Sequence, residues 1–344
     1  MSGKNQHYIP RLVQGGFISR GGGDSRYTWL FHRERSPSEP NLKGSCAERY
    51  FYGEKDDTAV DDSITQYEGA TLTPLWNALR SAPEGEIFLP GIPEMLAHFE
   101  VRTKNFRDLF AQPARRMLET VREQLADTED MTRRLVRLVR RTPQVVIRSR
   151  TREGLRMRTQ MQRMSEAQLR MLTAPVVNNV SREVCEIVEQ LAIAQMLKTG
   201  HIAALKKSGS TPSRFTYYQA LNYALVDFPE GGLILGDSVL TVRPRGSNRW
   251  VPFVDKDMDV QTVLLPVSDN RLLVGGELPT TNVVDLNRIA ARCSRYQFIA
   301  SDCTSVQEEL SSQIGTWADL FTAEDLDALI DETIKEVFAA NFLS

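Results

Sequence analysis

Apolar residues recur with two different periods along the chain, and these periods predict an α+β fold. Across residues 62–205 apolar side chains mostly return at helical spacing, as in the run from Ile64 to Leu79. Short runs typical of β-strands precede and follow this part, for example residues 27–32 and 260–267. We therefore expect a largely helical middle with a small β-sheet built from N-terminal and C-terminal segments.

Glycines, prolines and polar clusters mark the element boundaries. The predicted helices cover residues 62–79, 92–110, 113–142, 165–172, 179–200 and 281–293, and a last helix runs to the end of the chain. Pro74 either kinks the first helix or marks its true start, and Gly200 is the predicted stop of the fifth. Residues 35–40 are a predicted loop. The predicted strands after the helical middle cover residues 233–238, 260–267 and 272–274, the last two forming a hairpin.

This pattern predicts two parts of unequal size. A core of residues 1–274 contains a β-like N-terminal segment, the helical part over 62–205 and a β-rich part over 213–274. Residues 275–344 are expected to form a C-terminal helical extension.

Composition narrows the class of protein. With 344 residues, 41% of them hydrophobic and 25% charged, the chain has the profile of a globular protein. Its four cysteines form no CxxC pair, so free thiols in a reducing cytosol are expected. No apolar stretch is long enough for a membrane span, and none resembles a signal peptide. We therefore expect a cytoplasmic protein without a membrane span.

Charge is distributed very unevenly. Residues 133–170 hold twelve arginines, no lysine and two acidic residues, a local net charge of 12 − 2 = +10 in a chain whose total is −2. These arginines form the solvated face of a helix, pair with acidic residues within the chain or across an oligomer interface, bind nucleic acid phosphates, or lie on an anionic membrane. Base stacking is not expected, since the stretch has no aromatic residue. The predicted nucleic-acid contacts are Arg133, Arg134, Arg137, Arg140, Arg141, Arg148 and Arg150.

Catalytic motifs give no assignment on their own. The chain has four histidines, dispersed in sequence, and it lacks HExxH, GxSxG and a His-x-Glu motif with paired cysteines. A lone histidine such as His7 is more often a structural hydrogen-bonding group than a catalytic one. His98 and His201 lie in or beside helices, where partial burial or helix C-terminal charge explains them.

Six segments, in order between Lys4 and Val274, resemble the bacterial family catalogued as domain of unknown function 4238. They are KNQHYIPRLVQGGF, CAERYFYGEKDD, ITQYEGATLTPLWNAL, HFEVRTKNFRDLF, GGLILGDSVLTV and TVLLPVSDNRLLV. Three positions depart from the family pattern. Lys104 replaces a proline, Gly236 stands where the family has serine, and Val239 or its neighbour stands where it has proline.

The resemblance draws attention to five polar residues from distant segments, His7, Glu68, Arg102, Arg107 and Asp237. They form either a buried hydrogen-bonded network that holds the N-terminal segment on the core, or a site in which they act as acid, base or metal ligands. In the site hypothesis His7, Glu68 and Asp237 are catalytic. Glu68 and Asp237 bind Mg²⁺ or Mn²⁺, while Arg102 and Arg107 bind substrate phosphate.

The favoured functional hypothesis is a metal-dependent nuclease or other phosphodiester-directed enzyme, in a bacterial defence or toxin setting by analogy. The rival is a non-catalytic protein that forms oligomers or binds a protein partner through its arginine-rich region. The acidic residues 323–332 would then be one partner surface. A nucleotide-modifying hydrolase or transferase is a further enzyme class that the same residues allow.

Overall fold

The computed structural model describes residues 5–319, apart from residues 24, 54–58, 110–112, 116–117, 121–122, 124–126, 142–151, 191–192, 209–213 and 256–257. The chain divides into two compact units. The first contains Met1–Phe110 and Met196–Leu320, and the second contains Ala111–Gln195 and Phe321–Ser344. The fold class is α+β, as the sequence predicts.

The element bounds are as follows. The strands are β1 (Asn5–His7), β2 (Trp29–His32), β3 (Arg35–Ser38), β4 (Ala47–Arg49), β5 (Gly85–Ile87), β6 (Tyr223–Asp227), β7 (Leu235–Gly236), β8 (Thr241–Pro244), β9 (Val260–Ser268), β10 (Arg271–Gly276) and β11 (Gln297–Ala300). The helices are α1 (Arg11–Gln14), α2 (Ala59–Tyr67), α3 (Thr73–Ser81), α4 (Ile92–Arg102), α5 (Lys104–Leu109), α6 (Thr128–Arg141), α7 (Arg152–Arg163), α8 (Glu166–Gln190), α9 (Ile193–Ser208), α10 (Thr216–Gln219), α11 (Val283–Cys293) and α12 (Ser305–Ser311). A π-helical turn, Glu68–Leu72, joins α2 to α3.

A five-stranded antiparallel sheet forms the centre of the first unit, in the order β5-β6-β10-β9-β8. Its longest strands, β9 and β10, form the predicted hairpin, with Ser268 opposite Arg271. All nine positions of β9 except Gln261 are buried. Such burial on both faces explains why this segment reads as an almost continuous apolar run.

The predicted sheet from the two ends of the chain is present as a second sheet, ordered β3-β2-β11-β7. Its strand β11 pairs with β2 across more than 260 residues of sequence, Ala300 opposite Trp29 and Gln297 opposite His32. Phe31 and Phe298 stack at the centre of this sheet, with ring centroids 4.8 Å apart. A short two-stranded sheet, β1-β4, holds the N-terminal residues.

Several element predictions are wrong. The gap predicted between the helices over residues 165–172 and 179–200 is absent, because α8 runs through it. Residues 35–38 form the strand β3 instead of a loop, because they pair with β2. Gly200 lies inside α9 and does not end it. The predicted helix 92–110 is interrupted at Thr103, whose extended backbone ends α4 and whose hydroxyl accepts a hydrogen bond from the Phe106 amide at 3.1 Å. Pro74 lies in the first turn of α3, where proline is well tolerated.

The second unit is helical in its described part. Helices α6, α7 and α8 pack together around Val136 and Leu169, with Met161 and Met164 against them. The described part of the chain contains no helix that combines the length and the apolar character needed to cross a bilayer. Cys46, Cys293 and Cys303 are free thiols. The predicted last helix beyond residue 319 lies outside the described residues.

Candidate functional site

The N-terminal strand β1 is fixed by backbone and side-chain contacts from the following hundred residues. It pairs with β4, His7 opposite Ala47. The buried Gln6 side chain accepts a hydrogen bond from the Tyr52 amide at 2.7 Å. Tyr8 and Ile9 pack into the main core. The motif around His7 therefore supplies both packing and buried polar contacts.

Arg102, at the end of α4, is the centre of this attachment. Its Nη2 donates to the backbone carbonyl of His7 at 2.9 Å, and its Nε donates to the Tyr52 hydroxyl at 2.6 Å. The Tyr52 hydroxyl in turn donates to the same His7 carbonyl at 2.7 Å. Nη1 of Arg102 forms an ion pair with Glu68 from the π-helical turn. The guanidinium that the sequence hypothesis gave to a phosphate is thus largely occupied by protein partners.

A cavity of about 360 Å³ opens beside this network. Apolar and neutral polar side chains form part of its wall. The charged or titratable residues that line it are His7, Arg11, Asp61, Glu68 and Arg102. Three of the five residues singled out in the sequence therefore meet at one cavity, and Asp237 and Arg107 do not line it.

Hydrogen-bond geometry favours one tautomer of the His7 imidazole. Its Nδ1 lies 3.0 Å from the backbone carbonyl of Ser45, which only accepts hydrogen bonds, and 3.5 Å from the side-chain nitrogen of Gln14; the shorter contact favours a proton on Nδ1. The Nε2 lone pair is left without a hydrogen-bond partner among the described residues. Burial is the main cause that lowers the pKa of His7 to about 4, with smaller contributions from Arg11 and Arg102. The ring is neutral at pH 7, and Nε2 is available as a base or ligand.

Two carboxylates line the same cavity with different surroundings. Glu68 is paired with the buried Arg102. Asp61 belongs to the first turn of α2, and burial raises its pKa while a hydrogen bond from Gln6 opposes the rise. Arg11 is exposed, and no residue in the described part of the chain forms an ion pair with it. Asp61 and Arg11 are therefore the charged groups of this cavity that are least committed to the fold.

Asp237 has a structural environment of its own. It is 1% exposed, and its Oδ1 accepts a hydrogen bond from the Arg295 amide at 2.8 Å. Its Oδ2 accepts from the amides of Tyr296 and Gln297 at 2.7 and 3.2 Å. Burial raises the pKa of Asp237 to about 6, although the three amide donors oppose the rise. Its carboxylate holds the chain that enters β11.

Arg107 also has protein partners. Its two terminal nitrogens donate to the two carboxylate oxygens of Glu48 at 2.8 and 3.0 Å, and its Nε donates to Asp108 at 2.9 Å. The guanidinium lies over the Phe51 ring, 4.4 Å from the centroid. This bidentate pair joins α5 to β4, which is the strand that pairs with the N-terminal residues.

The predicted nucleic-acid contacts lie in the second unit. Arg133, Arg137 and Arg140 are exposed on α6. Arg134 and Arg141 belong to the same helix, but their side chains are not described, and Arg148 and Arg150 lie outside the described residues. On the next helix, α7, the arginines Arg152, Arg156 and Arg163 are exposed as well.

The predicted metal ligands are not gathered in one place. Across the described ranges, no group of three or more His, Cys, Asp or Glu side chains is arranged to hold a metal ion. Both oxygens of Asp237 accept amide hydrogen bonds, and Glu68 is paired with Arg102. The donor set formed by these two carboxylates does not fit a shared Mg²⁺ or Mn²⁺ ion.

Sequence reasoning did not assign four residues that the structure brings to this region. Gln6 and Arg11 stand beside His7 in the same motif, and their closeness in sequence was the signal available for both. Tyr52 belongs to one of the segments that carry the family resemblance. Asp61 had no signal beyond its place near the start of a predicted helix.

Comparison of the chain with known protein families, with curated proteins and with solved structures finds no match. The resemblance to domain of unknown function 4238 stays a prediction, and so do the roles that it suggests. The geometry of the cavity and the charges of the chain are therefore the observations that bear on function.

Proposed function

We propose that the cavity beside β1 is a hydrolytic site for a phosphodiester, in which His7 is the general base. The observation that supports this most strongly is the 3.0 Å contact between His7 Nδ1 and the Ser45 carbonyl. The Ser45 carbonyl holds the proton on Nδ1, so that Nε2 can accept a proton from water. A nearby carbonyl or carboxylate that orients an imidazole in this way is typical of histidines that act as bases or ligands.

The other charged groups of the cavity have distinct roles in this proposal. Exposed Arg11 binds the non-bridging phosphate oxygens, since a guanidinium fits phosphate geometry and this one has no competing ion pair among the described residues. Water attacks phosphorus, His7 takes the proton of that water, and Asp61 supplies a proton to the leaving oxygen. Arg102 and Glu68 act as positioning residues that hold the His7 backbone.

A resident metal ion is not part of this scheme. The residues that the sequence hypothesis assigned to Mg²⁺ or Mn²⁺ are engaged by amides and by Arg102, so we derive no step through them. Both ions still belong in the test as additives. Nucleic acid is the substrate class that the arginines of residues 133–170 favour, which makes the proposed activity that of a nuclease, with bacterial defence or toxin action as its setting by analogy.

The test compares His7→Asn with His32→Asn in the purified full chain. Substrates are duplex DNA, RNA and the small diester bis(p-nitrophenyl) phosphate, each with Mg²⁺, with Mn²⁺ and with a chelator. Loss of a general base costs roughly 10²–10⁴-fold in rate. We expect that loss for His7→Asn and a rate near wild type for His32→Asn, which lies outside the cavity. Equal rates in both variants, or no hydrolysis by the wild-type chain under any condition, would refute the proposal.

A second measurement uses the acid side of the pH profile. The value of kcat/KM reports groups of the free enzyme, so its acid limb should fall near pH 4, where His7 gains a proton, and not near 6.5. Arg11→Gln should raise KM about tenfold with a smaller change in kcat, because it removes binding made equally in the ground and transition states.

The rival function, partner binding or self-association, has an observation of its own. Phe88 is 92% exposed beside a cavity of about 750 Å³ formed by residues 86–90 and 219–223. A large apolar side chain exposed at the edge of a cavity is a candidate contact for a partner. Light scattering of the wild type and of Phe88→Ser across salt concentrations tests this. A mass above the monomer that Phe88→Ser abolishes supports it, and a monomer throughout contradicts self-association.

A further inference from the structure

Two rows of exposed arginines run along neighbouring helices of the second unit. Arg133, Arg137 and Arg140 form the row on α6. Spacings of four and seven residues return to nearly the same side of an α-helix, so the three side chains share one face. Val136, which packs against Leu169, marks the buried part of α6.

The row on α7 has the same construction. Arg152, Arg156 and Arg163 are exposed and are spaced by four and eleven residues, which again places them on one face. The exposed residue that lies between them on this face is Thr159, a small polar residue. With a rise of about 1.5 Å per residue, the rows extend about 10 Å along α6 and about 16 Å along α7.

These six arginines lack ion-pair partners in the described part of the chain. The same unit contains an arginine that is paired, Arg170 with Glu166 at 2.9 Å on α8. Like charges four residues apart on a helix repel each other. The rows therefore carry a repulsive cost that no ion pair in the described part of the chain offsets, and an anionic ligand would offset it.

We propose that the two rows bind the phosphate backbone of duplex nucleic acid without reading its sequence. Guanidinium groups donate two parallel hydrogen bonds to phosphate, and a row of them follows a chain of phosphates. Residues 133–170 contain no aromatic side chain for stacking on unpaired bases, which favours a duplex over a single strand. The duplex bound by the rows would be the substrate of the proposed hydrolytic site, and only this connection rests on the proposed function. Binding itself is measured apart from hydrolysis.

The experiment measures fluorescence anisotropy of a labelled 20-base-pair duplex with the full chain carrying His7→Asn, so that hydrolysis cannot interfere. One added variant changes Arg152, Arg156 and Arg163 to glutamine. A matched control changes three exposed arginines of the first unit to glutamine, namely Arg35, Arg49 and Arg80. Both triple variants remove the same charge, and because all six side chains are exposed, circular dichroism should show the same helical content.

The slope of log affinity against log salt concentration is the decisive readout. Each phosphate contact contributes about 0.9 to this slope, so loss of the α7 row should reduce it by about 3 and weaken binding at least tenfold at 0.15 M salt. The control triple should keep the wild-type slope. An unchanged slope in the α7 variant, an equal change in the control, tighter binding of a single-stranded oligothymidine than of the duplex, or binding to anionic phosphatidylserine vesicles alone would each overturn the proposal.

Failure of this proposal is distinguishable from failure of the hydrolytic one. If the rows do not bind duplex while the wild-type chain hydrolyses bis(p-nitrophenyl) phosphate, the inference about the arginine rows is wrong and the cavity proposal stands. If duplex binding shows the expected salt slope and no substrate is hydrolysed, the cavity proposal is wrong and the inference about the arginine rows stands.

Discussion

Replacing Arg102 by methionine should destabilise the first unit by about 3 kcal/mol. Methionine keeps most of the aliphatic length but removes the guanidinium that joins α4 to the N-terminal strand. Its lost contacts are the ion pair with Glu68 and the hydrogen bonds to the His7 carbonyl and the Tyr52 hydroxyl. The change therefore separates β1 from its main polar attachment without creating a large cavity.

The size of the expected loss in unfolding free energy depends on how well Glu68 and Tyr52 are hydrated or hydrogen-bonded once the guanidinium is gone. Removing one member of a buried ion pair costs roughly 3–5 kcal/mol, since the other charge is left without compensation. The Arg102 side chain is 4% exposed, whereas Glu68 is 28% exposed and can be partly hydrated. The Tyr52 hydroxyl still donates to the His7 carbonyl at 2.7 Å. These two features place the expected loss at the lower end of the range.

Tryptophan fluorescence during urea unfolding reports the stability of the first unit, which contains Arg102. The four tryptophans all belong to the sequence ranges of the first unit: Trp29, Trp76, Trp250 and Trp317. The denaturation midpoint should fall while the slope with urea stays constant, because the surface exposed on unfolding hardly changes.

Three further variants make the result interpretable: Arg80→Met, Glu68→Gln, and Glu68→Gln combined with Arg102→Met. Arg80→Met on the exposed surface of α3 is the control, and it should stay within about 0.5 kcal/mol of wild type. Glu68→Gln combined with Arg102→Met completes a double-mutant cycle, in which the two losses should add to more than the loss in the double variant. If Arg102→Met stays within about 1 kcal/mol of wild type, the network does not hold the strand as described.

Three other changes test the fold of the first unit. Burial lowers the pKa of His201 from 6.5 to about 4, so the folded state binds fewer protons than the unfolded state, and stability is lost as the pH falls below 6.5. Between pH 7 and pH 5 the wild type should lose about 2 kcal/mol more unfolding free energy than His201→Gln. Equal losses in urea titrations would contradict this. Gly236→Ala should cost about 2 kcal/mol, because its Cβ would lie 2.3 Å from the Ser294 hydroxyl, whereas Gly69→Ala meets nothing within 4 Å; similar thermal midpoints for the two would count against the packing described. Asp237→Ala should cost about 3 kcal/mol or more by leaving three amides near β11 without their acceptor, and native-like hydrogen-exchange protection of those amides would rule this out.

Periodicity predicted the elements that local sequence determines. The β9–β10 hairpin and helix α11 were readable because their apolar residues and turn residues agree. The strand β3 was not, since residues 35–38 become a strand only by pairing with β2, and its Pro37 is tolerated on the outer strand of that sheet. Gly200 resembles a helix stop, but its flanking residues continue α9 in the structure.

The site was predictable as a set of residue types and not as an arrangement. Nothing local indicates that Arg102 donates to the carbonyl of His7, 95 positions earlier, or that Asp237 accepts from amides near residue 296. An arginine or a carboxylate in a family-like segment suits a ligand and a buried partner equally well. Only the neighbours in space separate the two roles, which is why Arg107 reads as a phosphate contact in sequence and pairs with Glu48 in the fold.

The two interpretations of the His7 segment, a buried network and a site, are compatible in this geometry. Arg102 and Tyr52 bind the backbone carbonyl of His7 and leave its ring nitrogens alone. The Ser45 carbonyl then sets the proton on Nδ1, and Nε2 keeps its lone pair. A base must be held in place by groups that do not compete for its lone pair, and the network meets this condition. Loss of Arg102 should therefore reduce any hydrolysis through the position of His7, and the acid limb of the pH profile in surviving activity should shift toward 6.5 as the ring becomes better hydrated.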